Sequence, residues 1–278
     1  MNWTPEELFY ELSEDPERRI LFVEGVRDLA FWREVFPSTD RFDAAVYPIS
    51  VVICAPVKGG ERGRLLWCAE VFCRNACKDR ALFFADADCD IVLGLNCAPN
   101  VVFTDGRDLE SYGLTTECLA RLATTGLRLD ESEGVRAFLW VVEITRPIGI
   151  LRIASERRRM ELPFQRTFRK GLSRFLVGEQ YSATLDMRRL ISTLLQNAER
   201  SLSDVDEVMS FVDEEAGLQS SVETRKLSHG KDLVRSLACL YKIEESHVES
   251  MLFLSMDYSE IRRFPNIQTV ISWISKAR

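Results

Sequence analysis

The sequence predicts an α/β fold: a Rossmann-like parallel sheet flanked by helices, followed by a mainly helical C-terminal half. Three observations predict it. Apolar runs and helical patterns alternate through the first 115 residues. Those runs are apolar at every position, as in parallel strands covered on both faces, where a half-exposed strand would alternate. Beyond about residue 117 the periodicity becomes helical over most of the remaining sequence.

The elements follow in order. "RILFV" at 19–23 reads as a strand, and residues 27–36 as a helix. "YPISVVICA" at 47–55 is a second strand. A helix over about 62–78 follows, its apolar side carrying Leu65, Cys68, Ala69, Phe72, Cys73, Ala76 and Cys77. "ALFFA" at 81–85 and "VVFT" at 101–104 complete four strands. Right-handed crossovers between them give a doubly wound layer. "GVRAFLWVVEITRPIGILRIASERRRMELPFQ" begins as a helix or buried segment and is expected to be interrupted at Pro147. Helices are then expected over 183–199, 203–215, 231–243, 245–257 and 266–276. This gives an α/β domain at 1–116 and a mainly helical region at 117–278 expected to pack on it.

With 278 residues, 46% of them hydrophobic, the chain has enough apolar surface for a sizeable core. A net charge of −7 excludes bulk positive charge as the route to a nucleic acid or an anionic membrane, so any such contact must be local. The start "MNWTPEELFYELSEDPERR" is polar and acidic, and no stretch approaches the roughly 20 apolar residues of a membrane span. A cytoplasmic protein without a membrane role is expected. Eight cysteines raise the question of zinc, but Cys68, Cys73 and Cys77 are spaced C-x4-C-x3-C and no C-x-x-C pair occurs. Small core thiols explain them better.

Acids gather where strands end. Glu24 follows the first strand, Asp86 and Asp88 the third, and Glu110 the fourth, while Asp28 falls in the first turn of a helix. In open parallel sheets, functional groups collect at the carboxyl ends of strands. Crowded carboxylates repel one another, and a divalent cation relieves that repulsion. Oxygen-only ligands suit Mg²⁺ or Mn²⁺ over zinc. Singly, Asp28 also reads as a helix-dipole partner, and Asp86 and Asp88 as turn caps. Jointly, three strand ends that all deliver acids favour a site.

Glu24-Gly25 after an apolar strand, Asp28 beyond it, then Asp86-x-Asp88 after the third strand resemble the Toprim fold of topoisomerases, primases and overcoming-lysogenization-defect nucleases. "VVFTDGRDLESYGL" at 101–114 is similar to the D-x-E segment of a narrower branch. That branch is encoded beside ATPases in bacterial phage defence and includes the AriB-type effectors of PARIS systems. The motifs cover about residues 18–114.

The resemblance implies a Toprim-like, Mg²⁺-dependent nuclease, with Mn²⁺ as the alternative ion. It assigns Glu24 as metal ligand or general acid/base, Asp28 and Lys231 as further catalytic residues, and Asp86, Asp88 and Glu110 as metal ligands; the alternative for Lys231, which its sequence context favours, is a solvated lysine at a helix start. Cys89 and Asp90 stand where the family carries an aromatic residue, and Asp90 is a substitute ligand. The implied substrate is RNA, tRNA in that branch, more than DNA. The implied partner is an AriA-like ATPase, and a homodimer is compatible. Such a protein acts as a toxic effector released by its ATPase.

A nucleic acid needs counter-charge. Residues 152–174, "RIASERRRMELPFQRTFRKGLSR", supply Arg157, Arg158, Arg159, Arg166, Arg169 and Lys170, with Phe164 and Phe168 between them to stack a base. The alternative for this segment is a solvated basic face, or one paired with the acidic stretch at 203–215. The alternative for the whole protein is a catalytically silent Toprim-like subunit that binds an ATPase. Primase or topoisomerase chemistry is disfavoured, because no zinc-ribbon or strand-passage domain accompanies the motifs.

Overall fold

The computed structural model describes residues 2–15, 17–36, 46–54 and 56–275. The chain divides into two compact units that interleave in sequence. The first comprises Met1–Ala87, Leu95–Asp105 and Asp257–Arg278; the second comprises Asp88–Gly94 and Gly106–Met256. Where the sequence reading draws one boundary at 116, the chain passes between units several times.

The first unit holds β1 (Ile20–Val23), β2 (Val46–Pro48), β3 (Ala81–Ala85) and β4 (Val101–Phe103), with helices α1 (Pro5–Glu14), α2 (Val26–Val35) and α3 (Gly60–Cys73). The four strands form one sheet in the order β2-β1-β3-β4, every pair parallel. β1 and β3 are buried at every position, because both faces of the sheet are covered. Phe22 and Phe83 stack at 5.2 Å on one face, where Leu8, Leu12, Leu65 and Phe72 complete a core. On the other, Trp32 of α2 meets Phe84 edge-on at 4.9 Å. A parallel α/β sheet flanked by helices is therefore present, as the uninterrupted apolar runs predict.

The second unit is mainly helical. Its helices are α4 (Asp90–Leu93), α5 (Thr116–Arg121), α6 (Glu131–Arg157), α7 (Phe164–Phe168), α8 (Met187–Asn197), α9 (Val205–Leu218), α10 (Thr224–Leu227), α11 (Gly230–Tyr241) and α12 (Glu245–Ser255). A short antiparallel pair, β5 (Leu176–Val177) and β6 (Thr184–Leu185), joins them. The first unit is completed by α13 (Tyr258–Ile261), which packs on α2, and α14 (Pro265–Ser275), which packs on β4. Among the described residues no helix is long and apolar enough to cross a membrane.

Several expectations are corrected. The strand expected over 47–55 is only three residues long and passes into a 3₁₀ turn at Ile49–Val51; its last residue, Ala55, lies outside the described residues. Pro48 lacks a ladder donor and is tolerated because β2 is an edge strand. The helix expected over 62–78 ends at Cys73. Asn75 then accepts the Cys77 N–H at 3.0 Å and turns the chain toward β3. The helix expected from 183 begins at Met187, capped by Asp186, which accepts the Arg189 N–H at 2.9 Å. Lys276, the end of the last expected helix, also lies outside the described residues.

The largest correction is Pro147, which does not interrupt α6. A proline costs a helix interior about 3 kcal/mol. Here Val141 and Ile144 before it and Ile148 and Leu151 after it are all buried, so packing on both sides holds the helix through the missing bond. α5, α9 and α11 all pack on α6. Gly134 lets α5 approach, since a Cβ there would sit 2.3 Å from the Ala120 Cα.

Candidate functional site

Strand register positions the first pair of acids. Val23 pairs with Phe84, so Glu24, the first residue beyond β1, and Asp86, the first beyond β3, leave the sheet at the same edge. Glu24 Oε1 accepts the backbone N–H of Asp86 at 3.1 Å. Arg62, in the first turn of α3, stands 3.9 Å from the same carboxylate and donates to the Asp86 carbonyl through Nε and Nη2, each at 3.4 Å. The Glu24 side chain keeps 19% of its surface exposed, so its carboxylate is within reach of solvent.

Asp28 is placed differently. It occupies the third position of α2, is buried, and reaches back to accept the Gly25 N–H at 3.0 Å. That contact satisfies an orphan donor at the helix start. Burial pushes its carboxyl up to about 6, against the lowering effect of the backbone N–H groups and of Arg27.

The second unit carries the other acids. Asp88 sits at φ +45°, in the left-handed region, and its N–H donates to the Arg107 carbonyl at 2.8 Å. Cys89, next along, is buried and its Sγ accepts from Arg107 Nη2 at 3.0 Å. Asp90 opens α4. Glu110 lies half-buried in a 3₁₀ turn, Leu109–Gly113, that Asp108 caps by accepting the Ser111 N–H at 3.2 Å.

Asp108 also accepts the Gly230 N–H, where α11 begins. Position 230 needs glycine: a Cβ there would lie 2.5 Å from the Glu110 Cβ, 2.6 Å from Asp108 Oδ1 and 2.7 Å from Glu110 Oε2. Burial, and then the neighbouring Glu110, push the Asp108 carboxyl well above the usual carboxylate range. His229 caps α11 by accepting the Lys231 N–H at 3.1 Å, and burial pushes its imidazole down to about 3, so it is neutral at pH 7. The Lys231 side chain is exposed.

The structure thus brings Glu24 and Asp86 together in the first unit. In the second it brings Glu110 beside Asp108 and the start of α11. Asp28 turns back to its own helix start. Among the described residues no three His, Cys, Asp or Glu side chains form a ready cation site. The donors at Glu24 and Asp86 are oxygens only, which is the chemistry of a hard divalent ion.

Two residues that the sequence reading does not select stand in these groups. Arg62 follows the glycine pair Gly59-Gly60 that starts α3, a signal of a close turn. Asp108 is the first acid of the D-x-E segment, in which the sequence reading gives only Glu110 a role.

Part of the basic segment is paired inside the second unit. Arg157 makes a bidentate pair with Glu215, at 2.7 and 3.1 Å, and Arg158 pairs with Glu214 at 2.5 Å. These acids belong to the stretch at 203–215. Phe164 and Phe168 are buried, which corrects their expected role in stacking a base: Arg152 lies 4.3 Å over Phe164, and Phe168 packs edge-on against Phe175 at 5.9 Å. Arg166 donates to the Asn197 carbonyl at 3.3 Å. All six basic residues, Arg157, Arg158, Arg159, Arg166, Arg169 and Lys170, are exposed.

Compared with known proteins, the chain matches no protein-family model and no curated protein.

Proposed function

We propose that the protein is a Mg²⁺-dependent phosphodiester hydrolase whose first unit is Toprim-like. The observation that supports this most is the pairing of Glu24 with Asp86 at the carboxyl ends of two adjacent parallel strands. Glu24 and Asp86 would hold the ion, and Mn²⁺ is the alternative. A bound ion supplies charge neutralisation at the scissile phosphate and lowers the pKa of water. Glu24, partly exposed, is the proton acceptor nearest that chemistry, and Arg62 offsets negative charge as a phosphate approaches. Asp88, Glu110 and Lys231 join the proposal through the Toprim resemblance. So do an RNA or tRNA substrate, an AriA-like ATPase partner and a role as an anti-phage effector.

A second reading has its own observation. Arg62 already supplies a cation beside the Glu24 carboxylate and the Asp86 carbonyl, so these groups are stabilised without a bound ion, which suits a catalytically silent subunit. Thermal melts with and without Mg²⁺ separate the two, run on the wild type, Arg62→Ala and the double variant Glu24→Gln with Asp86→Asn. The hydrolase reading expects Mg²⁺ to raise Tm and the double variant to lose that rise, together with cleavage of RNA. No Mg²⁺ effect on the wild type, with Arg62→Ala destabilised, rejects it for the silent subunit.

A further inference from the structure

The second unit contains a groove of about 820 Å³. That is the size of a pocket for a small organic molecule. Its wall is mixed in polarity, and Leu172, Leu176 and Ile243 with Trp140 supply the apolar part. The Trp140 indole N–H is already spent on the Ala183 carbonyl at 2.8 Å, so the ring offers the groove only its apolar surface.

Arg235 also lines the groove, and one of its two ion-pair partners is loosely held. The buried Asp232 carboxylate faces two guanidinium groups. Arg152 takes it at 2.7 and 3.0 Å, and Arg235 at 3.1 Å. The two cations share this carboxylate, and the second negative charge beside Arg235 is Glu245. Glu245 stands 3.6 Å from Arg235 Nε, beyond hydrogen-bond range, with half of its side chain exposed. The Nε–H is shielded from water and has no hydrogen-bond acceptor among the described residues.

We propose that this groove binds a small organic monocarboxylate with an apolar body, whose carboxylate takes the place of Glu245 on Arg235. A bidentate carboxylate matches the planar guanidinium, and the apolar body covers Trp140, Leu172 and Leu176. Glu179 and Glu244 also line the groove and are exposed, with Lys242 the opposing charge. These acids disfavour dianions such as phosphate monoesters more strongly than a single negative charge. The proposal does not rest on the hydrolase reading.

The test uses octanoate as the probe, 1-octanol as its uncharged counterpart, and tryptophan fluorescence and Tm as readouts. Octanoate should bind saturably to the wild type. Glu245→Gln removes the competing carboxylate and should tighten octanoate binding several-fold while leaving octanol unchanged. Arg235→Gln should weaken octanoate at least tenfold. If Arg235→Gln fails to fold, the surface variant Glu245→Gln decides alone. Absence of saturable octanoate binding to the wild type overturns the proposal. So does unchanged or weaker binding by Glu245→Gln, or undiminished binding by a folded Arg235→Gln.

Discussion

Glu24 receives the backbone N–H of Asp86 at 3.1 Å, so a side chain at the end of one strand ties down the end of its parallel neighbour. The same carboxylate is the leading candidate for chemistry. Structure and activity at this position can be separated by choice of substitution. Glu24→Gln keeps an acceptor for the Asp86 N–H and should melt close to the wild type. Glu24→Ala removes the acceptor and should cost about 1 kcal/mol. Both should lower Mg²⁺-dependent RNA cleavage by roughly 10²-fold or more, the usual worth of a general base. Calorimetry beside a cleavage assay checks this; full activity in Glu24→Gln would remove the carboxylate from the mechanism.

Asp28 makes stability depend on pH. Its carboxyl is raised from 3.8 to about 6 by burial, so the folded chain holds the proton more tightly than the unfolded chain does. Its contribution is therefore fully present below about pH 4 and is lost as pH rises through 6, a change on the order of 3 kcal/mol. Asn at this position can still accept the Gly25 N–H and does not titrate. Denaturant unfolding at several pH values should give a slope between pH 4 and 6 that is absent from Asp28→Asn. Identical profiles would contradict the burial argument.

Gly230→Ala offers a test of sign. In an open helix this change stabilises by about 0.4–1 kcal/mol. Here the new Cβ meets Glu110 and Asp108 at 2.5–2.7 Å, so the substitution should destabilise by about 1–3 kcal/mol. Urea unfolding measures it, and a stabilised variant would mean that the 3₁₀ turn yields freely.

The arginines at 157 and 158 should differ from those beyond. Glu215 is 3% exposed at its side chain, so Arg157→Gln leaves a nearly buried carboxylate with Gln219 as its remaining side-chain partner, at about 1–3 kcal/mol. The Arg158 pair is open to water, and its loss should cost under about 1 kcal/mol. Neither change should alter the salt dependence of RNA binding. Arg169→Gln with Lys170→Gln should flatten it by roughly 0.7 slope units per lost phosphate contact. Binding isotherms at several salt concentrations, in a Glu24→Gln background, compare the two pairs.

The strands are legible because burial on both faces writes itself as consecutive apolar residues: Phe22 and Phe83 serve one face, Phe84 the other. The acids at the strand ends are legible for the same reason, since Glu24 and Asp86 interrupt those runs. What is not legible is where a helix packs. Ile267 and Val270 mark a buried face of α14, but nothing local says that the face lies in the unit of β4. Pro147 misleads because its local cost is visible in sequence, whereas the buried neighbours that outweigh it are gathered from distant segments. The pairing of Arg157 with Glu215 is one of the readings that the sequence leaves open, and only tertiary structure brings residues so far apart in sequence into a bidentate contact.

The packing of α14 on β4 has a consequence for synthesis on the ribosome. Strand β4 emerges early, yet the helix that packs on it is drawn from 265–275, after the whole of the second unit has been made. The nascent sheet therefore waits without that helix on its outer strand while more than a hundred residues are added. During that interval it presents apolar surface to chaperones and to other nascent chains. A fragment stopped at 256 would hold the sheet in that state, and should aggregate where the full chain does not.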